Sequence, residues 1–287
     1  MTTTLQHLLR TASLRLAAAG IDTPRLDAEV LLRHALRLDR TQLFLRLADP
    51  APDGLAAPYE RLIARRVAGE PVAYITGTRE FMGYPFLVTP AALVPRPETE
   101  LLVEWALGWL ADHPDAAIID VGTGSGAIAI SVAAALSPSS RAIVVASDAS
   151  RDALDIAMRN KTLLSGMGIV EKIVFIEQSL LRETTGEIDL VLANLPYLTP
   201  EQIAENPDLE AEPRLALDGG ADGLDLVRDL IADLPRVLTP HGAAGFELDP
   251  SQTEEVEALL RATFPEANVR TIRDLAGLAR HVVMTRS

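Results

Sequence analysis

Apolar residues recur at helical spacing from Leu5 to about Arg66, as in Leu8, Leu9, Leu14 and Leu16, and again in Leu26, Val30, Leu31, Leu32, Ala35 and Leu36. Clusters of Asp, Pro and Gly at Gly20 to Pro24 and at Asp49 to Gly54 break the pattern, so three or four helices fit. Between Ala73 and Val94 the texture changes to aromatic and β-branched residues around Gly77, Gly83 and Tyr84-Pro85, which predicts a β-hairpin. A helix follows Pro95-Arg-Pro-Glu-Thr-Glu100 and runs through Leu110. Beyond it, strands at Ala116–Val121, Ala142–Ser147, Lys172–Ile176, Asp189–Ala193, Ala243–Leu248, Asn268–Ile272 and His281–Thr285 alternate with helices. This order predicts a doubly wound α/β sheet whose ligands sit at the carboxyl ends of the strands, near the topological switch point. The expected organisation is a helical bundle over 1–72, a hairpin linker over 73–95 and an α/β domain over 96–287.

Composition narrows the chemistry. With 287 residues, 48% of them hydrophobic, the chain has enough apolar material for two cores. It has no cysteine and five scattered histidines, which excludes disulfides and thiolate metal sites and argues against a histidine metal site. The start lacks the basic head and continuous apolar stretch of a signal peptide, and no apolar run approaches membrane-spanning length, so a soluble cytoplasmic protein is expected. The net charge of −14 disfavours direct nucleic-acid binding through the phosphate backbone. Charge is uneven: residues 1–90 hold eleven Arg, no Lys and nine acidic residues, so the net charge is +2 there and −16 over the rest.

Asp120-Val-Gly-Thr-Gly-Ser-Gly126 stands between the first strand of the α/β domain and the helix Ala127–Leu136. Gly122, Gly124 and Gly126 allow a tight turn and a close backbone approach to a ligand, and Thr123 and Ser125 complete a polar loop at a helix start. A dinucleotide fingerprint would place its third glycine where Ala127 stands, which weakens a nicotinamide or flavin reading. Asp148, at the end of the next strand, stands where an acidic side chain accepts hydrogen bonds from a ribose diol.

Asn194-Leu-Pro-Tyr197 ends the strand Ile188–Ala193. An amide or exocyclic amine nitrogen is a poor nucleophile because its lone pair is delocalised. The Asn194 side-chain oxygen and the Leu195 main-chain carbonyl offer two acceptors that hold both N–H groups, direct the lone pair and stabilise the charge developing on nitrogen. Pro196 stiffens the turn, and Tyr197 packs on the flat face of the substrate group. With the glycine loop, this predicts methyl transfer from S-adenosylmethionine to a planar nitrogen.

Longer motifs carry a resemblance. Arg66-Val-Ala-Gly-Glu-Pro-Val-Ala-Tyr-Ile-Thr-Gly77, Glu80-Phe-Met-Gly83, Leu93-Val-Pro-Arg-Pro-Glu-Thr-Glu100, Glu212-Pro-Arg-Leu-Ala-Leu-Asp-Gly-Gly220, Glu247 with Gln252, and Arg273-Asp-Leu-Ala-Gly277 with Arg280 resemble signatures of the HemK/PrmC family of release factor glutamine N5-methyltransferases. The resemblance covers nearly the whole chain. It implies a seven-stranded, Rossmann-like class I S-adenosylmethionine-dependent methyltransferase domain behind a small helical docking domain for class-I release factors. It also implies that Gly122–Gly126 lie under the cofactor's methionine part, that Asp148 holds its ribose, and that Asn194–Tyr197 grip the glutamine of a Gly-Gly-Gln motif. Two positions depart from the family pattern. Leu195 stands where the family usually has Pro, which keeps the carbonyl and adds an N–H. Ser179 stands where an Asp would meet the adenine amino group, which leaves Leu180 against the ring.

Asn-Leu-Pro-Tyr also resembles the motif of adenine N6-methyltransferases acting on ribosomal RNA, and a non-catalytic cofactor-binding protein is a third reading. The acidic α/β part and the N-terminal position of the extra helices speak against the RNA reading, and Asn194 with Tyr197 against the third. Arg96, Glu98 and Glu100 either line the cleft or cap the following helix, and Trp105 and Trp109 read as core.

Overall fold

The computed structural model describes residues 3–166, 173–206 and 209–286. Lys172, at the start of one predicted strand, lies outside the described residues. The chain divides into two compact units, one of residues up to Thr78 with 209–211, the other of 79–206 and 212–287.

The first unit is helical: α1 (Leu5–Ala18), α2 (Pro24–Leu36), α3 (Arg40–Leu45), α4 (Ala56–Val67) and α5 (Val72–Thr76). Thr4 caps α1, Pro24 opens α2, and Asp39 with Gln42 forms a reciprocal capping box on α3. Leu5, Leu9, Ala12 and Leu16 form the buried stripe of α1, packed with Leu31, Leu32, Leu43, Tyr59 and Ile63. Leu14, although part of the apolar pattern, is 65% exposed because it falls outside the stripe spaced by three and four residues. The predicted extended region begins late. Val72–Thr76 is a helical turn opened by Pro71 and closed by Gly77, whose φ of 76° and N–H to the Ala73 carbonyl form a left-handed cap. Only Thr78–Phe81 (β1) and Tyr84–Leu87 (β2) form the hairpin.

The second unit centres on a seven-stranded sheet. Its elements are α6 (Glu100–Leu110), β3 (Ala117–Val121), α7 (Ala127–Ala135), β4 (Ile143–Asp148), α8 (Arg151–Ser165), β5 (Ile173–Glu177), β6 (Ile188–Ala193), α9 (Pro200–Glu205), α10 (Asp225–Val237), β7 (Leu238–Glu247), α11 (Thr253–Thr263), β8 (Asn268–Arg273) and β9 (Ala279–Thr285). The strand order is β5-β4-β3-β6-β7-β9-β8, and only β9 runs antiparallel to its neighbours. Alternate residues serve the two faces: Ile118, Leu190 and Leu192 pack with α6, α7 and the hairpin's Phe81 and Phe86, while Ile119, Val121, Val191 and Ala193 pack with α10 and α11. A methyl on Gly245 would stand 2.6 Å from the Trp105 ring, so that glycine permits the close seat of α6 on β7.

The chain leaves β3 towards β4 and β5, then returns to place β6 on the other side of β3. The switch point therefore lies between β3 and β6, and Val121 is in register with Ala193. The two strands end level, so the loops starting at Gly122 and Asn194 open side by side. Asp189 secures this register from the opposite end, accepting from the Ala117 N–H at 2.8 Å and the Thr239 hydroxyl at 2.9 Å. Among the described residues no helix is long and apolar enough to cross a membrane, and no group of three or more His, Asp or Glu could hold a metal ion.

Candidate active site

A cavity lies at the carboxyl ends of β3, β4, β5 and β6. Its wall includes Gly122, Thr123, Gly124, Ser125, Asp148, Leu180, Asn194, Leu195 and Pro196. Of the residues given a cofactor or catalytic role in the sequence, Gly126 and Tyr197 are not on this wall, and of Arg96, Glu98 and Glu100 only Arg96 is. Gly126 faces inward, where a methyl would stand 2.9 Å from Ile130 and 3.1 Å from Ala157. Ala91–Leu93, Pro95, Arg96, Thr99, Gln178, Ser179 and Leu215 complete much of the lining.

The glycine loop is held from three directions. The N–H groups of Gly122 and Thr123 donate to the Ser147 carbonyl at 2.8 and 2.9 Å, and the Gly124 N–H donates to Asp148 Oδ2 at 2.8 Å. Asn160, fully buried on α8, donates to the Ser125 carbonyl at 2.9 Å and to the Leu87 carbonyl at 3.0 Å, and accepts from the Leu87 N–H at 2.7 Å. Asp120, under the loop, accepts from the Thr123 hydroxyl at 2.6 Å and the Ala129 N–H at 3.1 Å, capping α7 from within the sheet. Its Oδ1 finds no partner among the described residues, and burial pushes the carboxyl up to about 7.

Asp148 Oδ1 accepts from the Ser150 N–H at 2.8 Å, so both carboxylate oxygens already organise loop amides. Burial raises this carboxyl above its ordinary value despite those bonds. With backbone N–H groups of Gly124, Ala149 and Ser150 on it, the carboxylate keeps acceptor capacity for a hydroxyl partner. Leu180 adopts φ 51°, a left-handed conformation uncommon for a residue with a side chain, in a turn where the Arg182 N–H donates to the Ser179 carbonyl at 3.2 Å. This turn brings Ser179 and Leu180 to the wall.

The segment after β6 is set from both sides. Asn194 Nδ2 donates to the Thr99 hydroxyl at 3.1 Å, and Thr99 is buried. Leu195, which departs from the family's usual proline, buries its side chain in the core cluster that includes Val121 and Leu224, and its Cδ2 occupies the space a methyl on Gly122 would need. Among the described residues no donor takes the Leu195 carbonyl. The Tyr197 carbonyl accepts from Gln252 Nε2 at 2.8 Å, and Leu198 bridges Asp218, with Leu198 N–H donating to the Leu217 carbonyl at 3.0 Å. Burial pushes the Tyr197 phenol up to about 12, with Glu247 adding to the rise and Arg280 and Arg96 opposing it. Arg96 pairs with the buried Glu212, which also accepts from the Val94 N–H at 3.3 Å.

Two known families cover most of the chain: the PrmC N-terminal domain matches residues 7–77 and the methyltransferase small domain residues 98–221. The release factor glutamine methyltransferase of Moorella thermoacetica is 40% identical over 279 residues, spanning 96% of both chains. That of Deinococcus radiodurans is 40% identical over 280 residues, spanning 97% of both. The chain belongs to the release factor glutamine methyltransferase family. Its fold is that of solved methyltransferases, among them a ribosomal protein L11 methylase from Lactobacillus delbrueckii subsp. bulgaricus, with a TM-score of 0.50 at 22% identity over 69% of this chain and 83% of that one.

Within this methyltransferase, Thr99, Asn160, Gln252 and Glu212 hold the site although sequence reasoning gave none of them a separate role. Gln252 and Glu212 appeared only inside family motifs. Thr99 had a usable signal in its place beside Arg96 and Glu98, whereas Asn160 lay unmarked in an amphipathic helix. His281, read as isolated, is fully buried opposite Glu247, with Nε2 3.5 Å from its carboxylate.

Proposed function

We propose that this chain methylates the side-chain amide nitrogen of the glutamine in the Gly-Gly-Gln motif of class-I peptide chain release factors, using S-adenosylmethionine. The carrying observation is the Asn194 amide, whose nitrogen is engaged by Thr99 so that its oxygen is left for the cavity beside an unclaimed Leu195 carbonyl.

The cavity fits the cofactor. Gly124 has φ 55°, and a methyl built on it would meet no protein atom closer than 4.0 Å, so the loop leaves open a space that a side chain would fill. Gly122–Ser125 would hold the methionine part, Asp148 the ribose, and Leu180 the adenine face. S-adenosylmethionine supplies a methyl already activated on a sulfonium. The protein's task is alignment. Asn194 Oδ1 and the Leu195 carbonyl accept the two N–H bonds of the glutamine amide and turn its nitrogen lone pair towards the methyl. The same two dipoles would stabilise the positive charge that grows on nitrogen as the N–C bond forms and the S–C bond breaks to leave a neutral thioether, after which the nitrogen gives its proton to water. Tyr197, a neutral phenol, does not line the cavity, so it would pack against the amide plane only where the substrate reaches beyond that wall.

The acidic balance of −16 after residue 90 argues against direct nucleic-acid contact. The helical first unit is the docking domain for the release factor, and a cytoplasmic location suits a substrate that works in translation. The test offers labelled S-adenosylmethionine with a purified release factor, the same factor with Gly-Gly-Gln changed to Gly-Gly-Glu, and ribosomal RNA. Label in the first alone, mapped to that glutamine by peptide mass spectrometry, supports the reading; label in the RNA overturns it.

A further inference from the structure

The strap from Val94 to Glu100 is fastened more firmly than a cleft edge requires. Arg96 pairs with buried Glu212, the Val94 N–H donates to the same carboxylate, and Glu100 accepts from the Met82 N–H at 2.7 Å on the hairpin turn. Between these anchors the backbone makes a short 3-10 turn, with the Thr99 N–H donating to the Arg96 carbonyl at 3.1 Å. The turn presents one hydroxyl, that of Thr99, to the Asn194 amide nitrogen.

An asparagine amide has two nearly isosteric orientations, and only one presents an acceptor to a substrate NH2 group. With the oxygen towards the substrate, the Asn194 NH2 points at the strap, where it needs an acceptor. Thr99 Oγ1 provides it, 3.1 Å away and 4% exposed. That hydroxyl can accept from the amide nitrogen or donate to the amide oxygen, so it anchors the half-buried Asn194 side chain to the strap while the substrate NH2 group, which needs an acceptor, sets the orientation of the amide. We propose that Thr99 is a positioning residue for methyl transfer, tethering the Asn194 side chain where its oxygen meets the substrate amide. This rests on the glutamine-methylation reading above.

The test compares Thr99→Val, which keeps the shape, with Thr99→Ser, which keeps the hydroxyl, in the full-length protein with S-adenosylmethionine and a class-I release factor. The expected result is a kcat roughly ten- to a hundredfold lower in Thr99→Val, recovered largely in Thr99→Ser, with cofactor Kd and Tm close to wild type in both. Wild-type kcat in Thr99→Val would overturn the proposal. So would a kcat loss matched by weaker cofactor binding and lower Tm and not recovered by serine, since that pattern marks packing alone. Absence of transfer by the wild-type protein would instead reject the underlying reading of function.

Discussion

Asn160 gives the sharpest quantitative test of how the site is held. Its amide makes three hydrogen bonds, two to Leu87 on β2 and one to the Ser125 carbonyl of the glycine loop, at no solvent exposure. Each such bond contributes about 1 kcal/mol net, and Asn160→Leu removes all three, so a loss of about 3 kcal/mol is expected. For a unit of this size that corresponds to a Tm lower by roughly 6–12 °C. Asn160→Asp separates hydrogen bonding from packing. It preserves the acceptor for the Leu87 N–H but turns a second oxygen towards two carbonyls. The folded-state pKa of the new carboxyl should rise, so its destabilisation should be greatest at neutral pH and recede as pH falls and the acid protonates. Urea unfolding followed by tryptophan fluorescence suits the measurement because both tryptophans, Trp105 and Trp109, belong to the second unit. A loss under about 1 kcal/mol in Asn160→Leu, or an Asp variant as stable as wild type at neutral pH, would refute the reasoning.

Asp120 should leave a mark on stability against pH. Its folded-state pKa is raised from an ordinary 3.8 to about 7, so the folded state binds the proton more tightly and stability is lost as pH rises through that window. Asp120→Asn should flatten the slope in urea midpoints between these limits, and an unchanged slope would remove Asp120 as its source. Gly223 has φ 77°, and a methyl on it would stand 2.1 Å from the Tyr197 carbonyl oxygen, so Gly223→Ala should displace the reactive segment. Methyl transfer should then fall at least tenfold while cofactor affinity, set by the glycine loop, stays near wild type; equal loss of both would contradict this division.

The parts of the site legible in the sequence are those fixed by strand ends. Val121 and Ala193 close apolar runs, and because those strands pair in register, the polar motifs following each run meet. The supports are tertiary and carry no local pattern. Asn194 and Thr99 are 95 residues apart, Asn160 and Leu87 73 apart, and Gln252 and Tyr197 55 apart. The extended reading of Ala73–Thr76, which are helical, shows the limit of composition: Pro71 and Gly77 are helix-capping signals there, and they outweigh the β-branched and aromatic residues between them. Leu195 illustrates a different limit. Its departure from proline adds an N–H, and nothing in the sequence signals that its side chain is anchored in the core against Gly122.

The most direct measurement of the central claim is single-turnover methyl transfer by wild type and Asn194→Ala, mapped on the release factor by mass spectrometry, with S-adenosylmethionine binding titrated in parallel. A methyl on the Gly-Gly-Gln glutamine is expected with wild type, together with a rate at least a hundredfold lower in Asn194→Ala and cofactor affinity within a few-fold of wild type. Transfer at the wild-type rate by Asn194→Ala would contradict the claim.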